Sequence, residues 1–178
     1  MKTAAAFSAL FASAMAQGYF GVMSTRSGSP VHLLPLTARG GKFFLGGGPP
    51  SSYCPPEVAS ACPNGTQTVL AGGDVSVSLG VVVPGGQQIY IAPDATMSYT
   101  TPHSAYVPEG SVRDGWTKTE GENFGNLKFE GGLSACPATK QGDGYQVFGQ
   151  VEGVTLAPEC LGFNALTVNA TGPGAWEY

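Results

Sequence analysis

His103 and Ser104 are adjacent, and Asp94 or Asp114 would complete on paper the nucleophile, base and orienting carboxylate that acyl transfer uses. The G-x-S-x-G elbow that presents a nucleophilic serine is absent from the sequence. Triad members meet in space rather than along the chain, so adjacency carries little weight. A hydrogen-bonded structural histidine is the expectation for His103. The same holds for His32, read as lying opposite Val31 and Leu33 on a strand. Acid–base work on sugars needs two carboxyl groups, one of them held protonated. Asp114, Glu120, Glu122 and Glu130 fall close together, but Gly115, Gly121, Gly125 and Gly131 intersperse them, which is the pattern of an exposed, solvated loop. The runs Gly40-Gly41 and Gly46-Gly47-Gly48 lack a Lys-Ser/Thr pair, and Pro49-Pro50 closes the second. They read as turns rather than phosphate cradles. The sequence therefore assigns no catalytic residue and no cofactor-binding residue.

Trp116, Tyr145, Trp176 and Tyr178 could stack on sugar rings if they are exposed, although core packing is the commoner fate of tryptophan. Cys54, Cys62, Cys136 and Cys160 are the only cysteines. No C-x-x-C occurs, and neither His32 nor His103 has ligand spacing from them, so no metal site is expected. In an oxidising compartment two disulfides are the default, with three pairings possible. Pairing of near neighbours, Cys54–Cys62 and Cys136–Cys160, needs the least rearrangement. Asn64-Gly65-Thr66 and Asn169-Ala170-Thr171 are sequons, hence surface positions and candidate N-glycan acceptors. Pro63 and Gly65 place Asn64 in a turn.

These side chains must be positioned outside the cell. Met1 to Ala16 carries one positive charge, Lys2, then a short apolar run and an Ala14-Met15-Ala16 ending, the layout of a secretory leader removed after Ala16. The apolar run is shorter than the roughly 20 residues that a membrane helix needs. No later segment reads as a span, and Gly172–Tyr178 lacks the apolar tail of a lipid-anchor signal. Loss of Lys2 moves the net charge from −4 to −5. The few basic residues are scattered, so nucleic acid is not an expected partner. Residues 17–178 are expected to form one domain, large enough to bury a core.

No helical period runs through that segment. Short alternating runs separated by Gly or Pro predict an all-β, antiparallel barrel or sandwich, and 27 glycines and 14 prolines favour the same class. Val75, Val77 and Leu79 point one way on a predicted strand. That strand pairs with Gln87–Ile91 through the Pro84-Gly85-Gly86 turn. Val31–Leu36, Phe43–Leu45, Leu127–Phe129, Tyr145–Val151, Leu161–Phe163 and Leu166–Val168 are further strand candidates. Pro55–Ala61 reads as a disulfide-tied loop or one turn of helix. Glycine turns beside aromatic strands near residues 40–48, 85–99 and 131–149 leave a β-trefoil-like arrangement as a minor alternative.

A set of ordered matches then adds to this reading. They are Arg26-Ser27-Gly28-Ser29-Pro30-Val31-His32, Gly41-Lys42-Phe43-Phe44-Leu45-Gly46, Tyr53-Cys54-Pro55, Val83-Pro84-Gly85-Gly86-Gln87-Gln88-Ile89-Tyr90-Ile91 and His103-Ser104-Ala105. Pro108-Glu109-Gly110-Ser111, Ala135-Cys136-Pro137, Gln146-Val147-Phe148, Glu159-Cys160-Leu161-Gly162-Phe163 and Ala175-Trp176 complete it. Through them the chain resembles the fungal PhiA cell-wall proteins, also described as IgE-binding proteins, and related hypersensitive-response-inducing elicitors of plant-pathogenic fungi. The resemblance implies a secreted, wall-associated, non-catalytic protein linked to conidium and phialide development and to stress protection. Some relatives act as allergens or elicitors. It transfers no catalytic residue. Cell-wall polysaccharide or a host receptor are the partners it suggests. A glycan-binding module and a small secreted hydrolase are the competing functions.

Overall fold

The structure is a computed structural model and describes residues 18–178. The leader expected over residues 1–16 lies outside the described residues. Thirteen strands form: β1 (Tyr19–Thr25), β2 (Leu36–Arg39), β3 (Lys42–Leu45), β4 (Leu70–Gly72), β5 (Asp74–Val75), β6 (Val77–Leu79), β7 (Gln87–Ile91), β8 (Met97–Tyr99), β9 (Trp116–Thr119), β10 (Gly125–Phe129), β11 (Leu133–Pro137), β12 (Tyr145–Gly149) and β13 (Leu161–Ala170). One short 3-10 helix, Pro56–Ala61, lies between the two cysteines of the Cys54–Cys62 bridge. Apart from that helix the described residues are all-β, and every strand pair among them is antiparallel.

Pairing follows the path β1-β4-β6-β7-β8-β3-β12-β11-β13, and β13 pairs back onto β1. The strands thus run round a ring. β10, β9 and β5 continue outward from β13, and β2 branches from β3. The ring is not a clean barrel, since β3 and β8 meet at one residue pair, Lys42↔Ser98. Its strongest seam is β1 on β13, paired from Tyr19↔Ala170 to Thr25↔Asn164.

Period-2 alternation selects the inner face. In β1 it buries Phe20, Val22 and Ser24, and in β7 it buries Gln87, Ile89 and Ile91. Phe20, Val22, Ile89 and Ile91 join Phe43, Leu45, Met97, Trp116, Leu127 and Val147 in one hydrophobic cluster. Phe43 meets Tyr99 edge-on with ring centres 5.3 Å apart, and Trp116 packs on Phe129 at 5.1 Å.

Both disulfides form as expected, Cys54–Cys62 and Cys136–Cys160. The β6–β7 hairpin forms too, closed by the Gly86 N–H donating to Val83 O. Four expectations need correcting. Val75 does not share the face of Val77 and Leu79. It takes a left-handed φ of 84°, is 60% exposed, and breaks the predicted strand into β5 and β6. Val31–Leu33 is a turn, because buried Ser24 draws the segment in through its hydroxyl to Val31 O and Leu34 O. His32 is therefore on an exposed turn, where its Nδ1 accepts from the Arg26 N–H at 3.2 Å. Leu161–Phe163 and Leu166–Val168 are halves of one strand, β13. The three glycine-aromatic segments are not arranged as a trefoil, since the strands they contain, β7, β8, β3, β12 and β11, are successive neighbours in one sheet.

Candidate functional site

The triple glycine has a structural use. Gly46, Gly47 and Gly48 all take positive φ, and a Cβ on Gly47 would run into the backbone of Asp143. The Arg39 guanidinium caps this approach. It donates to the carbonyls of Gly47, Gly46 (3.3 Å) and Asp143 (2.8 Å) and lies 4.5 Å over the Phe44 ring. Carbonyls facing an arginine cannot cradle a phosphate, which needs N–H donors.

The triad residues are not assembled. Ser104 Oγ accepts from the Tyr106 N–H at 3.1 Å, and Asp94 Oδ1 accepts from Thr96 N–H at 3.0 Å, both local turn bonds. His103 is exposed, with φ of 59°. It lines a cleft of about 300 Å³ with Gly85, Gln88, Thr100 and Ser104. The carboxylates lie in exposed loop positions, as expected, at the two ends of the β9–β10 hairpin. Glu120 and Glu122 sit at the tip between β9 and β10, while Asp114 and Glu130 flank its base. All four are exposed, and Glu120 is ion-paired with Lys118.

The aromatic candidates separate in the structure. Trp116 is 2% exposed and packed in the core, so its ring is not open to a sugar. Tyr145 is half-buried at the start of β12, and Trp176 is half-buried on the C-terminal strap, its carbonyl accepting from Val82 and Val83. The open aromatics are instead Tyr53, Tyr106 and Phe124, at 55%, 75% and 55% exposure. Among the described residues, no group of three His, Cys, Asp or Glu side chains could hold a metal ion. No described helix is long and apolar enough to cross a membrane.

Two further clefts are neighbours. One, of about 360 Å³, opens where β1 and β2 diverge beyond the Met23↔Pro35 bridge. Met23, Pro49 and Pro50 give it apolar walls, Thr37 and Gln67 give polar groups, and no ionisable side chain lines it. The other, of about 420 Å³, lies between the segment around Asn64 and the segment around Thr171. Thr66 and Gln67 line both. None of Trp116, Tyr145 and Trp176 lines either cleft. Sequence reasoning does not reach these clefts because segments far apart in the chain line them, and no local pattern encodes their meeting.

The strap beside them ends in a buried clamp. Tyr178 is 8% exposed; its hydroxyl donates to Gln67 O and accepts from the Val69 N–H at 3.3 Å. Burial pushes its phenol from 10.0 up to about 12, with the Val69 bond opposing and nearby Tyr99 adding to the rise. Burial raises the Tyr99 phenol as well. A folded pKa above the unfolded one means the native state holds its proton more tightly. That stability is complete below about pH 10 and drains as pH climbs toward about 12, by about 1.4 kcal/mol per unit. Alkaline melts should show this decline. Tyr178→Phe should flatten it while costing roughly 1–2 kcal/mol at neutral pH. An unchanged alkaline slope in the variant would contradict the assignment.

Compared with known protein families, residues 20–178 match the one described as "PhiA-like secreted protein". The chain is 36% identical over 159 residues, covering 83% of it and 79% of the relative, to a protein of Arthroderma benhamiae described as "Uncharacterized secreted protein". No solved structure matches.

Proposed function

The chain belongs to the PhiA-like secreted protein family, and from that premise we propose that it acts as a non-catalytic component of the fungal cell wall. The observation that carries this reading is the makeup of the β1–β2 cleft, which offers hydroxyls, an amide and prolines but no nucleophile, base or acid. The local turn bonds of Ser104 and Asp94, the exposed His103 and the four exposed carboxylates support the same reading against a hydrolase. A β body tied by two disulfides suits a protein that must persist outside the cell. Roles in conidium and phialide development, stress protection, elicitation or allergy follow from the resemblance as properties of such an exposed protein.

A wall-glycan-binding module is the second reading, favoured by the same uncharged cleft, which matches a neutral polysaccharide better than a charged one. One experiment addresses both readings. Antibody labelling of washed, intact hyphae should stain the wall, and the pure protein should sediment with insoluble β-glucan or chitin if the second reading holds. Protein found solely in the culture fluid or inside cells would refute the wall assignment. Failure to sediment with either polymer would remove the binding module.

A further inference from the structure

Two sequons more than a hundred residues apart meet at one cleft. Asn64 and Thr66 form one rim, and Ala170 and Thr171 of the second sequon form the other, with Asn169 next to that rim in sequence but outside the lining. The segments are held together by the Gly65 N–H donating to Gly174 O at 3.0 Å. Asn64 follows the tied loop and lies outside any strand. Thr171 lies just past the last β1–β13 pair, Tyr19↔Ala170. Asn64, Thr66, Asn169 and Thr171 are all exposed. We propose that Asn64 and Asn169 both carry N-linked glycans and that the two glycans together roof this cleft and shield the C-terminal strap beneath it.

The inference rests on the secreted reading, because the donor is a polyprenyl-diphosphate-linked oligosaccharide met in the secretory pathway. In the transfer, the asparagine amide nitrogen attacks the anomeric carbon. A C–N bond forms, the C–O bond to the diphosphate breaks, the amide nitrogen gives up one proton, and the polyprenyl diphosphate leaves. The residues between each Asn and Thr are Gly65 and Ala170, neither of them the proline that blocks a sequon. Transfer precedes folding, so the finished fold must leave both side chains in the open, as this one does. Pro63, Val69 and Pro173 give the cleft apolar surface against which the faces of the inner sugars can lie. What the roof covers matters to the whole molecule. Gly174 packs so closely on Gln67 and Tyr178 that a Cβ there would collide with both. A protease cutting the strap would release the buried Tyr178.

The test is glycopeptide mass spectrometry of the secreted protein, with peptide-N-glycosidase hydrolysis of the glycosyl amide bond marking each occupied asparagine by its conversion to aspartate. Both sites should be marked. Asn64→Gln and Thr66→Ala should each remove one glycan, and Asn169→Gln and Thr171→Ala the other. The threonine variants keep the asparagine and so separate glycan loss from side-chain loss. The double variant N64Q/N169Q should be cut several-fold faster by a broad-specificity protease, with the new cuts within residues 171–178. Secreted protein bare at either asparagine would overturn the proposal, as would an unchanged cleavage rate in the double variant. Protein that stays inside the cell with both sites bare would overturn the secreted premise along with it.

Discussion

Gln87→Leu should lower the melting temperature by about 10–15 °C, corresponding to roughly 3–5 kcal/mol in a chain of this size. Gln87 is 1% exposed, at an inward position of β7 that the alternation would otherwise fill with an aliphatic residue. Its amide nitrogen donates to Thr100 O at 3.0 Å and to Tyr178 O at 2.8 Å, and its oxygen accepts from the Tyr178 N–H at 2.8 Å. A leucine of similar volume keeps the packing but strands one donor and two acceptors away from water, which costs far more than the bonds are worth net. The amide orientation is fixed by its partners, because two backbone oxygens can only accept and a backbone N–H can only donate. Gln141→Leu, at an exposed loop position, is the control and should move stability by no more than about 0.5 kcal/mol. A Gln87→Leu protein melting within about 3 °C of the parent would show that the clamp does not hold the C-terminal strap.

That clamp marks the limit of what the sequence discloses. Alternation makes the buried faces legible where a strand is regular. Ile89, Ile91 and Val147 are core residues in the sequence pattern and in the fold. Gln87 has the right parity but the wrong chemistry, and only its distant partner at Tyr178 explains it. The run Val75–Leu79 shows the converse error. Its pattern was perfect, yet Gly72 and Gly73 turn the chain just before it, and Val75 is spent on a left-handed kink that pairs with Trp116. Val31–Leu36 failed because a tertiary contact from Ser24 outbid local strand propensity. β1, β4, β8, β9 and β11 are short or rich in Gly, Ser, Thr and Ala, residues that carry a weak strand signal, and the sequence does not announce them.

Legibility of the candidate site divides along the same line. What is written locally was readable: the cysteine spacing, the sequons, the absence of an elbow motif and of ligand spacing. What depends on chain crossing was not. Nothing near Thr37 announces Pro49 and Gln67 across a cleft, and nothing near Asn64 announces Thr171. Trp116 illustrates the ambiguity of single residues, since the same indole would serve a sugar or a core, and only the position of Phe129 decides for the core.

Loss of the Cys136–Cys160 bridge should destabilise more than loss of Cys54–Cys62. The first closes a loop of 24 residues and the second one of 8. Restraint of the unfolded chain scales with the logarithm of loop length, so the bridges are worth about 3.4 and about 2.5 kcal/mol on entropy alone. The folded structure widens that gap. Register places Cys136 opposite Cys160 in continuation of Ser134↔Gly162 and Ala135↔Leu161, so this bridge staples β11 to β13 beside the core. Cys54–Cys62 ties a 3-10 helix with no buried residue, and its opening frees a surface loop. Paired Cys→Ser variants melted side by side should therefore differ by at least about 1 kcal/mol, or about 2–4 °C. Partial reduction followed by alkylation should leave Cys54 and Cys62 labelled in molecules that still give the native β spectrum. Alkylated Cys136 and Cys160 should appear only in molecules that have lost it. The reverse order of melting would mean that the exposed loop, and not the β11–β13 seam, limits the stability of the fold.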